Sequence, residues 1–258
     1  MDGGARQQAY DRGHTIFSPD GRLYQVEYAR EAVERGSPAV GVRTDGGVVL
    51  AARKRLGSPL LEPESVSKVH RVDDHLAVAS AGHAADARRL VEEARVASQR
   101  HRLRYDEPMP AESLTTALAD EVQERTQTGG ARPYGAALLV AGADAAASGV
   151  GEPSANDVEK RFRLFEVDPS GTPYGWRATA IGNGSSGLRG YVEAELAERD
   201  AAAATLDGGV ELALGALTSD EETEPEPAAF ECWTIGPGPT IDPRSTDEIA
   251  ATLGGAAS

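Results

Sequence analysis

Residues 17–33 read FSPDGRLYQVEYAREAV, from Phe17 to Val33, and the identity of this stretch decides the fold. Ser18-Pro19 has the form of a helix N-cap followed by a proline in the first turn, where a missing N–H costs nothing. Leu23, Val26, Ala29 and Val33 then recur at helical spacing. Gly36 supplies a stop. Gly21 weakens the first turn by roughly 1 kcal/mol relative to alanine, which moves the expected start towards Arg22. Periodicity alone makes this an ordinary amphipathic helix.

Working outward, residues 1–13 are polar and glycine-bearing and read as a mobile tail. After the helix, the apolar runs Ala39–Arg43 and Val48–Arg53 flank Asp45-Gly46-Gly47, a hairpin signal. Val66–Val72 and Leu76–Ala79 read as a second hairpin around Asp73-Asp74. Ala84–Arg104 reads as a helix with Ala87, Leu90, Val91, Ala94 and Ala97 on one face. Pro110–Thr128 reads as another helix, closed by Gly129-Gly130. Strands are expected at Ala136–Val140, Phe162–Val167, Trp176–Ile181 and Phe230–Ile235. Helices are expected at Leu188–Arg199, Gly209–Leu217 and Asp247–Leu253. Runs of strands followed by runs of helices favour α+β packing over an alternating parallel sheet. Two segments read as insertions: a mobile hairpin loop over 144–160 and an acidic surface loop, SDEETEPEP, over 219–227.

Residues 17–33 closely resemble the N-terminal signature of proteasome α-type subunits, and Tyr10-Asp11-Arg12 precedes them as in that family. Lys68 before a strand, Arg132-Pro133-Tyr134-Gly135 and the turn from Ala178 to Gly184 follow in family order. The resemblance covers about Tyr10 to Gly236. It implies the four-layer α-β-β-α sandwich of the N-terminal-nucleophile hydrolases. On this basis the chain divides into a gate tail (1–13), one α-type domain (14–240) and a C-terminal extension (241–258), disordered after Gly254.

Composition narrows the function. The net charge is −15, with three lysines and 23 arginines against 41 acids. Nucleic-acid binding needs basic surface to neutralise phosphates, so this balance argues against it. It suits a protein kept soluble by carboxylates in a salt-rich cytoplasm, where charge is strongly screened. No apolar run approaches the ~20 residues that cross a bilayer, and no signal segment opens the chain. The expected location is therefore cytoplasmic, with no membrane partner. Cys232 is the one cysteine, in the strand-like FECWTIG, and reads as a buried, inert thiol.

Catalytic motifs are weak. The five histidines show no metal-binding spacing and read as surface or half-buried side chains; no metal or cofactor is expected. Gly182-Asn183-Gly184-Ser185-Ser186-Gly187 matches G-x-G-x-x-G, but no second strand or ribose-binding acid follows. A tight turn with φ > 0 explains its glycines. Catalytic β-type subunits use an N-terminal threonine whose free amine is the base. The corresponding place here is Ser37, within Gly36-Ser37-Pro38. An uncleaved Ser37 has no free amine, Pro38 supplies no N–H, and the position of the usual acid is Arg53. A self-processing serine hydrolase using Ser37 is the alternative reading.

The resemblance implies a non-catalytic subunit of the 20S core. Seven such subunits, of this chain or with a paralogue, form the outer ring against rings of β-type subunits. They gate the entry of unfolded proteins and dock a hexameric regulatory ATPase through its C-terminal tails in ATP-dependent degradation. It assigns Tyr10, Asp11, Pro19 and Tyr28 to the gate. It assigns Lys68, Gly36, Arg30 and His83 to the docking pocket, with His83 standing where the family often has leucine.

Overall fold

The computed structural model describes residues 24–128, 131–144, 161–198, 205–220, 225–237 and 240–255. Helix α1 (Tyr24–Glu34) leads into the hairpin β1 (Ala39–Thr44) and β2 (Gly47–Arg53). A 3-10 turn at Pro63–Ser65 precedes β3 (Val69–Arg71) and β4 (Leu76–Gly82). Helices α2 (Ala84–Tyr105) and α3 (Ala111–Gln127) follow. Then come β5 (Ala136–Ala143), β6 (Phe162–Val167), β7 (Pro173–Gly175) and β8 (Ala178–Ile181). Helices α4 (Ser185–Glu198) and α5 (Leu206–Thr218), strands β9 (Phe230–Ile235) and β10 (Ile241–Pro243), and helix α6 (Thr246–Gly255) complete the order.

The strands form two five-stranded sheets, ordered β10-β9-β2-β1-β8 and β3-β4-β5-β6-β7, with every pairing antiparallel. The sheets stack face to face on a core of Val48, Leu50, Ala52, Ala77, Ala79, Leu139 and Leu164. The opposite faces are covered as well. Val40, Val42, Val49 and Ala51 pack against Leu188, Val192, Leu212 and Ala213 of α4 and α5. Val78, Leu138 and Val140 pack against Leu90, Leu114 and Leu118 of α2 and α3. This is the expected four-layer sandwich. Burial on both faces is why β1, β2, β4 and β5 read as continuous apolar runs rather than alternating ones. Small residues let the sheets approach closely: a Cβ on Gly41 would lie 2.7 Å from Leu164 Cδ1.

The expected α1, both hairpins, α2, α3, β5, β6 and the later helices are present. Three details differ. The expected strand from Trp176 begins only at Ala178, and β7 forms just before it. β7 is three exposed residues, Pro173, Tyr174 and Gly175, too short to show a period. His75 is buried rather than half-exposed, its Nε2 2.9 Å from the Met109 carbonyl. Within the segment read as an extension, β10 pairs with β9 and α6 buries Ile249 among the α4–α5 side chains. Cys232 is wholly buried, and burial pushes its thiol up to about 12. The gate tail, the Ser18-Pro19 cap, the Gly129-Gly130 stop, most of the 144–160 loop and the end beyond Gly255 lie outside the described residues.

Candidate functional site

Lys68 sits just before β3, and its backbone is fixed from both sheets. Glu231 of β9 accepts from the Lys68 N–H at 2.6 Å and the Val69 N–H at 3.0 Å. Ser80 of β4 donates its N–H to the Lys68 carbonyl at 3.0 Å. The side chain then turns inward, leaving the residue 9% exposed. Its Nζ meets the Ser37 carbonyl, Ser37 Oγ at 3.1 Å and the Pro38 carbonyl at 3.3 Å. Among the described residues no carboxylate hydrogen-bonds this amine. Burial lowers its pKa to about 7, with Glu231 pulling weakly the other way. A cavity of about 700 Å3 opens over it, lined by Arg35, Gly36, Arg55, Lys68, Gly82 and Arg88 among others.

The cavity floor depends on close backbone contact. The Gly36 N–H donates to the Val33 carbonyl at 2.9 Å, and the Gly36 carbonyl accepts from the Asn183 N–H at 2.8 Å. A Cβ on Gly36 would lie 2.2 Å from the Gly82 nitrogen. Gly182 and Gly184 take φ of +93° and +67°, so the expected strand-to-helix turn explains the G-x-G-x-x-G match.

Arg132-Pro133-Tyr134-Gly135, read only as ring structure, has a definite role within the chain. Arg132 donates to both oxygens of Asp86, at 2.6 and 2.8 Å, and the Gly135 N–H donates to Asp86 Oδ2 at 2.9 Å. The Gly135 carbonyl accepts from the His83 N–H at 2.8 Å. Asp86 thereby holds the start of α2 to the start of β5 beside Gly82. Sequence reasoning missed Asp86. Its signal was an acid in the first turn of a helix, too common to single out.

Burial opposes ionisation of Asp86, but the hydrogen bonds from Arg132 and Gly135 outweigh it and hold the carboxyl below its usual range. A depressed carboxylate pKa contributes stability above the unfolded value, lost as pH falls through the folded one. Asp86→Ala is expected to cost about 2 kcal/mol, mostly by stranding the buried Gly135 N–H. The mutant should also lose less stability than wild type on acidification below the ordinary carboxylate range. Urea midpoints of both proteins across that range check this.

The docking set is only partly assembled within one chain. Lys68 and Gly36 line the same cavity. His83, between the lining residues Gly82 and Ala84, is not in the lining; it precedes α2 with Nδ1 3.7 Å from Asp86 Oδ1. Arg30 lies on a different cavity of about 400 Å3 beside Tyr174 and Trp176. It is paired with Asp168 and Glu27, each at 2.8 Å. Of the gate set, Tyr28 is exposed on α1; Tyr10, Asp11 and Pro19 lie outside the described residues.

The Ser37–Lys68 contact has the look of a nucleophile and base, but its setting does not. The Ser37 nitrogen is an amide, and Lys68 Nζ also meets two carbonyls. Arg53 is exposed where an acid would be needed.

A family model described as the proteasome subunit matches residues 33–152 and 154–227. A second, described as the N-terminal signature of the A-type proteasome subunits, matches residues 10–32. The chain belongs to the proteasome subunit family. It is 52% identical to the proteasome alpha 2 subunit of Haloarcula marismortui, over 97% of this chain and 96% of that protein. It is 56% identical to the proteasome alpha 1 subunit of Haloferax volcanii, over 88% and 83%. It is 48% identical to the proteasome alpha subunit of Natronomonas pharaonis, over 98% and 93%. These relatives come from halophilic archaea, in keeping with the acidic balance. The α type lacks the catalytic threonine of the protease complex, and Ser37 in its peptide bond is consistent with that. No helix among the described residues is long and apolar enough to cross a membrane, and none of their His, Cys, Asp and Glu clusters could hold a metal.

Proposed function

We propose that this chain is a non-catalytic subunit of the outer, seven-membered α ring of the 20S core. In the cytoplasm it gates substrate entry with its first residues and docks a regulatory ATPase at Lys68. The observation that carries the docking role is the Lys68 amine. It is buried at the back of an open cavity, bonded among the described residues to neutral oxygens alone, and the cavity is also lined by Arg35, Arg55 and Arg88. A buried amine with no carboxylate in hydrogen-bond contact is costly. A carboxylate-terminated tail entering the cavity supplies that carboxylate and a charge-assisted hydrogen bond.

The gating role rests on Tyr10-Asp11 and on reach. Twelve extended residues span at most ~40 Å, so seven tails converging on a ring axis can close a narrow entrance. Deleting residues 2–11 is expected to speed hydrolysis of a casein-like substrate several-fold in assembled cores without any ATPase. Very short peptides should respond less, because they leak through a partly blocked pore. Native mass of the same particles verifies assembly, and unchanged casein rates in intact particles would remove the tail as a barrier.

A further inference from the structure

Cations are scarce on this chain, 26 against 41 acids, yet several gather on one face. The Lys68 cavity adjoins a second of about 620 Å3, and the two share Arg35, Ser37 and Arg55. Arg53 and Lys54 also line the second, where Glu226 is the one carboxylate among the described lining residues. The described lining of the first contains no carboxylate. Glu31 pairs with Arg35 at 3.2 Å, but both side chains are largely exposed, so that pair is weak and exchangeable.

The backbone here sets a spacing. Beyond the end of β2 burial still alternates: Arg53 is exposed, Lys54 buried and Arg55 exposed. Lys54 is tied down by its Nζ to the Pro63 carbonyl at 2.9 Å and by its N–H to the Ala229 carbonyl at 2.6 Å. In extended chain, residues two apart lie on the same side at about 7 Å. An extended guest peptide has the same repeat.

We propose that the tail docked at Lys68 belongs to an acidic partner and uses both cavities. Its terminal carboxylate meets Lys68. Upstream carboxylates two residues apart meet Arg55 and Arg53, with Arg35 at the junction. This deepens the docking role proposed above and rests on it. In concentrated salt long-range repulsion is screened, so selection of an acidic tail rests on direct contact with these cations. Guanidinium groups suit the task because they bind carboxylates bidentately.

The test uses assembled cores and short fluorescent peptides, read by anisotropy in concentrated potassium chloride. One peptide has a free C-terminus and two upstream glutamates separated by one residue. The second replaces those glutamates with glutamine, and the third is the first with a C-terminal amide. The first is expected to bind about threefold tighter than the second, a difference of about 0.7 kcal/mol, the scale of ion pairs on exposed guanidiniums. The double variant Arg53→Glu, Arg55→Glu should abolish that preference, and should bind a lysine-substituted peptide better than the glutamate one. Equal binding of the first two peptides, with the amide much weaker, overturns the acidic-tail inference and leaves docking at Lys68 intact. Equal binding of the first and third overturns the docking role itself. Native mass verifies that the double variant is assembled before its binding is compared.

Discussion

Lys68→Ala is expected to remove most ATPase-stimulated proteolysis from assembled cores while leaving short-peptide cleavage and ring assembly unchanged. Each docking site should lose roughly 1–3 kcal/mol, as for a charge-assisted hydrogen bond. Several tails engage one ring, so the losses multiply through avidity. The dependence on pH gives a sharper signature. Burial brings the free amine to about 7, whereas a docked carboxylate favours the ammonium. Docking therefore takes up a proton above pH 7, and affinity should fall by up to about tenfold per unit as pH rises. His70 is held neutral, its pKa lowered by burial and by Arg95. For folding the sign is reversed: the buried ammonium costs stability at pH 7 and below, and that cost is relieved as pH rises towards the ordinary lysine value. Lys68→Arg should restore docking only in part, because the planar guanidinium is wider, and should erase the decline above pH 7 because arginine stays charged. Full stimulation of the alanine variant would make Lys68 an ordinary buried lysine.

Gly82→Ala is expected to destabilise the protein severely and cut its folded yield. Gly82 has φ of +102°, and a Cβ there would lie 2.3 Å from the Gly135 carbonyl oxygen and 3.1 Å from the Ala136 Cα. The obstructing atoms are backbone, so no side chain can rotate away. Strain of roughly 1–3 kcal/mol adds to overpacking of similar size, against a total stability of about 5–15 kcal/mol. Gly184→Ala is the control. Its φ is +67°, but no atom lies within 4 Å of the added Cβ, so the cost should be about 1 kcal/mol. Soluble yield and urea midpoints in concentrated salt compare the two. A Gly82→Ala protein as stable as Gly184→Ala would mean that the β4–β5 junction relaxes freely.

The long elements were legible because their burial is periodic or continuous over many residues. Leu90, Val91 and Ala94 mark one face of α2, and Val48–Ala52 mark a strand buried on both sides. The resemblance of residues 17–33 then supplied the architecture that periodicity left open. β7 and β10 were illegible because three residues carry no period and gain their hydrogen bonds only from a neighbouring strand already in place. His75 was misjudged because a histidine next to aspartates looks wet in sequence, and only the tertiary fold buries it with its Nε2 at the Met109 carbonyl.

Lys68 was marked by its place before a strand in the family order, and the acidic balance by simple counting; both are properties of the chain read in one dimension. Its electrostatic state was not. Its pKa is lowered because the fold buries the amine, beside Ser37 and Pro38 about thirty positions away, and Glu231 from the other sheet pulls only weakly the other way. Arg30 and His83 belonged with Lys68 by resemblance, yet within one chain they fall to Asp168 and to the start of α2. The linear pattern determines which segments bury which faces, because apolar transfer depends mainly on residue type and period. Which charges meet, and at what cost, was decided only when the two sheets stacked, because Coulomb energy and desolvation depend on distance and depth in three dimensions.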